Sequence, residues 1–181
     1  MAVTSEIILS GSGGQGLIMA GQILAEAVVR DGNNTVQTQS YGPEARGGAS
    51  KAEVIISEEE IDYPKVTKPD ILLVMSQEAL SKYLGKLNAD STLIVDTTYI
   101  DEIPPTTAKV FALPYTNLAR ECLGKEMFAN IVALGVLAAL TGVATKESLQ
   151  AAIISRTPRG TEEINQQAFE LGWRSASQIA A

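Results

Sequence analysis

Two polar, glycine-rich segments near the N-terminus hold most of the residues that could bind a ligand. The first follows an apolar run at residues 6–10 and reads Gly11-Ser12-Gly13-Gly14-Gln15-Gly16. Its spacing matches the dinucleotide-binding pattern G-x-G-x-x-G, in which glycines let backbone N–H groups approach an anion at the start of a helix. The segment therefore predicts an anion-binding turn between a strand and a helix. A tight turn that only lets the helix pack closely is the structural alternative.

A conventional NAD or FAD site needs more than these glycines. It needs an acidic residue at the end of the second strand, about twenty residues further on, to bind the ribose hydroxyls. Residues 35–39 read Thr-Val-Gln-Thr-Gln and contain no acid. No Lys-Ser or Lys-Thr pair follows the glycines, as a P-loop would require. The sequence therefore disfavours a stand-alone dinucleotide site.

The second segment, residues 37–48, reads Gln-Thr-Gln-Ser-Tyr-Gly-Pro-Glu-Ala-Arg-Gly-Gly. Its guanidinium, Arg46, could bind a phosphate or carboxylate through two parallel hydrogen bonds, or form a salt bridge with Glu44 or Glu53. In the first segment, the amide of Gln15 can both donate and accept hydrogen bonds, which suits a ligand or a partner loop. The predicted cofactor-binding residues are Gly11, Ser12, Gly13, Gly14, Gln15, Gly16, Tyr41, Arg46, Gly47 and Gly48.

Composition excludes several kinds of site. The chain has 181 residues, with Cys122 as its one cysteine and no histidine. An iron–sulfur cluster or a structural zinc takes about four thiolate or imidazole ligands, so neither is expected on this chain. Without histidine the commonest general base is missing, and we predict no catalytic residue and no metal site. Cys122 is predicted to be a small buried hydrophobe.

Charge and hydropathy narrow the choice of partners. The net charge is −7 and the sequence pI is about 4.7, which disfavours a broad nucleic-acid-binding surface. The most apolar stretch, residues 131–140, is too short to span a bilayer. The N-terminus has no basic segment followed by an apolar core, so we predict no signal peptide. We expect a cytoplasmic protein that binds neither nucleic acid nor a membrane.

Hydrophobic periodicity predicts the elements that position the two segments. Short apolar or β-prone runs lead into both, and apolar residues at helical spacing follow Gly16. The loop before residues 49–57 is too short for a helical crossover, so this third strand is expected to pair antiparallel. We predict a single three-layer α/β/α domain over residues 1–181, with a mostly parallel, mixed sheet and helices on both faces. The last helix is expected from about residue 161 to 171, ending before Gly172-Trp173.

The two segments are expected to lie close together. Both follow strands of one sheet, which places them at its carboxyl edge, where open α/β sheets bind their ligands.

Taken together, these motifs resemble the gamma subunit of 2-oxoacid:ferredoxin oxidoreductases. The likeness begins with the glycine segment and with Tyr41-Gly42-Pro43-Glu44-Ala45-Arg46-Gly47-Gly48. It covers nearly the whole chain, because it continues in Pro69-Asp70, Asn130, Leu134-Gly135, Asn165, Ala168-Phe169 and Gly172. The full string at residues 37–50, together with Ser76-Gln77-Glu78, is most similar to the 2-oxoglutarate-specific branch.

The resemblance implies a reaction that is shared among subunits. Such enzymes decarboxylate a 2-oxoacid on thiamine diphosphate, pass electrons through iron–sulfur clusters to ferredoxin, and transfer the acyl group to coenzyme A. It implies that alpha and beta subunits, with a delta subunit as a further candidate, carry thiamine diphosphate, magnesium and the clusters. This chain alone would be inactive and would bind no cofactor by itself. It would share a coenzyme A site with its partners and help to assemble the complex.

Two alternatives stay open from the sequence. In the first, both loops are interface elements that contact no cofactor. In the second, the chain is a stand-alone Rossmann-like nucleotide-binding oxidoreductase, against which the missing acid and the missing histidine count.

Overall fold

The computed structural model describes residues 4–41 and 48–180. Within these residues the strands are β1 (Thr4–Ser12), β2 (Asn34–Ser40), β3 (Ala49–Ser57), β4 (Ile71–Val74), β5 (Thr92–Asp96) and β6 (Lys109–Leu113). The helices are α1 (Leu17–Arg30), α2 (Gln77–Tyr83), α3 (Tyr115–Leu123), α4 (Ala129–Thr141), α5 (Lys146–Arg156) and α6 (Glu162–Ala180). Short 3₁₀ turns at Leu84–Lys86 and Glu126–Phe128 follow α2 and precede α4.

The strands form one mixed sheet in the order β2-β3-β1-β4-β5-β6. From β1 outward, the pairings to β4, β5 and β6 are parallel. On the other side β3 runs antiparallel between β1 and β2, because the connection between β2 and β3 is too short for a crossover. The predicted mixed, mostly parallel sheet is confirmed.

Helices cover the two faces of the sheet unequally. One face is covered by α1, α3 and α4, with α5 and α6 packed outside them. The other is covered by α2 and by the irregular connectors that contribute Val66 and Ile100. Helix α4 lies at the centre, and its residues 129–138 are all buried. The predicted three-layer α/β/α architecture is confirmed.

The last helix differs from its sequence prediction. Helix α6 does not end near residue 171 but continues through Gly172 to Ala180. A Cβ atom at Gly172 would overlap the backbone carbonyl of Val132 in α4, and one at Gly135 would overlap the carbonyl of Phe169. These glycines let α4 and α6 cross with their backbones in contact, so Gly172 serves packing and does not terminate the helix.

Cys122 also differs from its prediction, because its side chain is exposed. The last turn of α3 leaves the core, and Glu121 and Gly124 beside it are exposed as well. Within residues 4–41 and 48–180, no helix combines the length and the apolar character needed to cross a bilayer.

Candidate functional site

A cleft of about 530 Å³ opens at the carboxyl edge of the sheet, where β1 and β4 lie side by side. Strand β1 leads into α1 on one face, and β4 leads into α2 on the other. Such a switch point is where open α/β sheets hold their ligands. The residues that line the cleft are Ser12, Gly14, Gln15, Met75, Ser76, Tyr99, Thr116, Glu126, Met127 and Ala129.

The side-chain amide of Gln15 forms the floor of this cleft. Its Oε1 accepts from the backbone N–H of Ser12 at 2.7 Å, and its Nε2 donates to the carbonyl of Met75 at 2.9 Å. The amide thus joins the loop after β1 to the end of β4. A Cβ at Gly11 would overlap Gln15 Oε1, so Gly11 makes room for this bridge.

The other glycines of the loop fall into two kinds. Gly16 has φ of +75°, and a Cβ there would lie 2.6 Å from Nδ2 of Asn130, which donates to the Gly16 carbonyl at 3.1 Å. Gly14 also has a positive φ, of +89°. Gly13 has neither constraint: its φ is not positive, and a Cβ would meet no described atom within 4 Å. Packing among the described residues therefore explains why positions 11 and 16 are glycine, but it does not explain the glycine at position 13.

The start of α1 is open to an anion. Gly16 occupies its N-cap position without a side-chain cap, and the first turn contains no acidic residue. A helix start leaves backbone N–H groups without intrahelical partners and carries positive potential. The loop and the helix start together can bind an anionic or polar group by backbone contacts.

A buried carboxylate supports the opposite wall. Asp96, at the end of β5, is fully buried and accepts from the backbone N–H of Thr98 at 3.0 Å and from the hydroxyl of Thr116. Thr116 lines the cleft in the first turn of α3, and Thr98 Oγ1 accepts from the N–H of Asn117 at 3.0 Å. Because the N-cap residue of α3, Pro114, makes no side-chain cap, Asp96 and Thr98 take over that role from a neighbouring segment.

Three side chains form a polar group at the mouth of the cleft. Glu126 accepts from Arg120 at 2.6 Å and from the Tyr99 hydroxyl at 3.0 Å. The Arg120 hydrogen bond comes first among the effects that hold the pKa of Glu126 below its ordinary value. The hydrogen bond to Glu126 raises the pKa of Tyr99, which stays a neutral phenol.

A second tyrosine, Tyr115, is fully buried at the start of α3. Burial, and then the charge of Asp96, raise the pKa of Tyr115 well above its ordinary value. Its hydroxyl donates to the carbonyl of Val74 at 2.8 Å, which ties α3 to β4.

The second predicted segment lies mostly outside the described residues. Arg46 and Gly47 fall within 42–47, which the structure does not describe. Tyr41 is 72% exposed and Gly48 is half-buried, and neither lines the cleft. Ala49 pairs with Ser12, so the described ends of the two segments lie at the same edge of the sheet.

The sequence suggests Glu53 as one of two salt-bridge partners for Arg46. In the structure it lies in β3, where it accepts from Lys51 Nζ at 2.6 Å and from Thr38 Oγ1 at 3.1 Å.

Sequence reasoning missed most of the cleft. Tyr99, Thr116 and Glu126 line it and Asp96 supports it, but they come from three separate segments that no local motif links. The available signal was Asp96 itself, a carboxylate at the end of an apolar strand, where α/β sites often draw their residues. In residues 4–41 and 48–180, no group of three or more His, Cys, Asp or Glu side chains could hold a metal ion. What the cleft offers is hydroxyls, an amide, one carboxylate and two methionines, which suits binding.

Comparisons with known proteins show similarity over nearly the whole chain. The family model described as pyruvate ferredoxin/flavodoxin oxidoreductase matches residues 6–175. The chain is 48% identical over 177 residues to 2-oxoglutarate synthase subunit KorC of Methanocaldococcus jannaschii, which covers 96% of this chain and 95% of that protein.

Solved structures give the same fold. The keto/oxoacid ferredoxin oxidoreductase gamma subunit of Geobacter sulfurreducens is 47% identical, with a TM-score of 0.86 over 98% of this chain and 99% of that one. The 2-oxoglutarate:ferredoxin oxidoreductase of Magnetococcus marinus, solved with 2-oxoglutarate, coenzyme A and succinyl-CoA bound, has a TM-score of 0.85. At 22% identity over 97% of this chain and 31% of the other, that likeness is one of fold.

Proposed function

We propose, from the premise that the chain belongs to the pyruvate ferredoxin/flavodoxin oxidoreductase family, that its glycine loop completes a coenzyme A site shared with partner subunits. The resemblance drawn from the motifs is confirmed. The chain is a gamma-type subunit of a 2-oxoacid:ferredoxin oxidoreductase, and it is 48% identical to a subunit of 2-oxoglutarate synthase. The proposal adds that this chain contacts coenzyme A, helps to assemble the complex and serves an enzyme that acts on 2-oxoglutarate.

The observation that carries the proposal is the bare backbone at Gly13, next to Gly14, which lines the switch-point cleft. Among the described residues nothing lies near a Cβ at Gly13 and its φ is not positive, so their packing does not require a glycine there. Beside the cleft, the missing side chain leaves room for a ligand to approach the backbone. The N-terminus of α1 lies directly behind this loop and favours an anionic group. Coenzyme A, when bound, supplies the thiol that accepts the acyl group.

The residues fit such a ligand in part. The loop N–H groups and the α1 N-terminus would contact phosphate or amide oxygens, while the hydroxyls of Ser76 and Thr116 would face polar groups in the cleft. Arg120 is already bonded to Glu126, which lines the cleft, so the proposal assigns charge pairing to Arg46. Gln15 lines the cleft, and we assign it the role of positioning the loop, because both ends of its amide are bonded within the chain.

The partners in this proposal are the alpha and beta subunits, with a delta subunit as a further candidate, in a cytoplasmic complex that reduces ferredoxin. They would hold thiamine diphosphate, magnesium and the iron–sulfur clusters, and 2-oxoglutarate would be the substrate. The supporting facts are this chain's single cysteine, its lack of histidine and its similarity to 2-oxoglutarate synthase subunits.

The test is a kinetic comparison on the purified native complex, using a tagged form of this chain. Gly13→Ala and Arg46→Glu should each raise the apparent KM for coenzyme A about tenfold or more, with KM for 2-oxoglutarate unchanged. Gly85→Ala and Arg159→Glu are matched controls, because Gly85 also has open space around its Cβ and Arg159 is exposed and does not line the cleft.

The same preparations separate the alternatives. If the variants lose partner subunits while coenzyme A kinetics stay normal, the loops are interface elements only. If the isolated chain binds NAD or FAD tightly, it is a stand-alone nucleotide-binding protein and the proposal fails.

A further inference from the structure

Three lysines gather around one tyrosine on the sheet face that α2 covers. The ammonium groups of Lys51, Lys82 and Lys86 lie 5.8, 5.5 and 5.7 Å from the centroid of the Tyr83 ring. Tyr83 is 5% exposed, whereas Lys82 and Lys86 are exposed. We call Lys51, Lys82 and Lys86 around Tyr83 the lysine surface.

The lysine surface is a positive region on an acidic chain, whose net charge is −7. Three like charges repel one another, and the π face of Tyr83 offsets part of that cost because aromatic rings attract cations. Within the group, Glu53 neutralises Lys51 by a 2.6 Å ion pair, and Glu78 lies one helical turn before Lys82. The surface still holds more positive than negative charge.

Among the residues that the structure describes, an unpaired sheet edge lies beside the lysine surface. Strand β2 is at one end of the sheet, and Ser40 and Thr38 on it pair with Lys51 and Glu53. Its seven residues, Asn34–Ser40, include no charge and no proline, and its register with β3 is unbroken. Edge strands exposed to solvent are usually protected by charges, prolines or bulges. A strand without these devices is suited to contact with another protein chain.

We propose that the lysine surface and the β2 edge dock an acidic surface of a partner subunit in the oxidoreductase complex. This inference rests on the proposed function, because it takes the chain to work inside a multi-subunit complex. The charges orient the partner, since complementary potentials set the docking register and the rate of association. The β2 edge then supplies main-chain donors and acceptors to the docked chain.

The geometry favours a protein over a small anion. Lys82 and Lys86 stand on an exposed face, and neither they nor Lys51 line the switch-point cleft. A lone phosphate would leave the unpaired β2 edge unexplained, whereas a protein surface can meet both features at once.

Carbodiimide cross-linking of the native complex tests the contact directly. The reagent activates a carboxyl group, and a lysine amine within contact distance displaces it to form an amide, so only touching pairs are joined. We expect peptides that link Lys82 or Lys86 to an aspartate or glutamate of a partner subunit. A link from these lysines to a second copy of this chain, or no link from either lysine in an assembled complex, would overturn the proposal.

Charge reversal provides the second test. Lys82→Glu with Lys86→Glu should lower recovery of the partner subunits about tenfold at moderate salt, and binding by the unaltered chain should weaken as salt rises. Lys109→Glu with Arg159→Glu is the matched control: both residues are exposed, and the charge change is the same. If both double variants recover equal amounts of the partner subunits, the docking role of the lysine surface is overturned, while the proposed function still stands. If the unaltered chain recovers no thiamine diphosphate subunit, the proposed function and this inference both fail.

Discussion

Gln15 donates its side-chain amide to the backbone carbonyl of Met75 at 2.9 Å, across the gap between the first glycine segment and the end of β4. The same amide accepts from the N–H of Ser12, so one side chain fixes the loop to two parallel strands. The loop is thus held in place before any ligand or partner arrives.

Removing this bridge should loosen the loop and the fold. In Gln15→Ala, the Ser12 N–H and the Met75 carbonyl both lose a partner, and we expect a loss of about 1–3 kcal/mol in the free energy of unfolding. Urea denaturation measures it. Gln167→Ala, at an exposed position on α6, should change stability by less than about 0.5 kcal/mol. Equal effects at the two sites would refute the bridging role.

Two glycines of the same loop should respond in opposite ways. Gly16→Ala places a Cβ 2.6 Å from Asn130 Nδ2 in a left-handed conformation, and should destabilise the chain by about 1–3 kcal/mol. Gly13→Ala should leave stability unchanged or raise it by about 0.4–1 kcal/mol, since its φ is not positive and no described atom lies within 4 Å of its Cβ. Thermal unfolding of both variants, beside the coenzyme A kinetics of Gly13→Ala, separates a glycine that the fold requires from one that function requires.

Asp96 should stabilise the wall of the cleft, because it accepts hydrogen bonds from Thr98 and from the cleft residue Thr116. Asp96→Ala leaves the Thr98 N–H and the Thr116 hydroxyl without their shared acceptor in a buried place, at a cost of roughly 2–4 kcal/mol. Asp101→Ala, at an exposed position in the same connector, is the control. A small effect at Asp96, equal to that at Asp101, would show that the carboxylate is dispensable.

The contact between α1 and α5 should give the protein a measurable acid sensitivity. Burial tends to raise the pKa of Asp31, but hydrogen bonds from Ser148 and Thr145 outweigh it and hold the pKa below its ordinary value. The Thr145 N–H and hydroxyl lie 2.7 and 2.6 Å from the carboxylate. Because the folded pKa is the lower one, this stabilisation is complete above the unfolded pKa of about 3.9 and is lost as the pH falls through the folded value.

The measurement is urea denaturation between neutral pH and about pH 3. Asp31→Asn should be less stable than the unaltered chain at neutral pH, and the difference should shrink in acid. Asp62→Asn, at an exposed position, serves as the control. A stability difference that is constant across this pH range would rule out the linkage.

The crossing of α4 and α6 should tolerate no added atom. Gly172→Ala forces a methyl group onto the Val132 carbonyl, and we expect a loss of about 1–3 kcal/mol or more, since backbone cannot yield as a side chain can. Gly85→Ala, with open space around it, should be nearly neutral. Calorimetry on the two variants decides whether Gly172 is a packing residue.

Local patterns predicted most of the fold because the relevant forces are local. The apolar spacing after Gly16 predicts α1, and Leu24 and Val28 on that stripe are buried as expected. Antiparallel β3 follows from the length of one loop. The predicted end of the last helix at Gly172 was wrong, because a sequence does not distinguish a glycine at a close helix crossing from a glycine at a helix end.

The candidate site was predicted only where its residues are contiguous. The glycine loop was visible, but the cleft wall joins Asp96, Thr116 and Glu126 through tertiary contacts that no spacing encodes. The sequence suggests that the Gln15 amide binds a ligand. No local pattern indicates its internal partner, because Met75 lies 60 residues further along the chain.

The buried surroundings of α4 bear on how the complex is built. With sheet, α1, α3 and α6 around it, this helix is enclosed by its own chain, and its residues 129–138 need no partner to leave water. Subunits whose cores form only at an interface must be synthesised together, because each is unstable alone. A chain with a self-contained core can instead be made and kept folded before it meets any other chain.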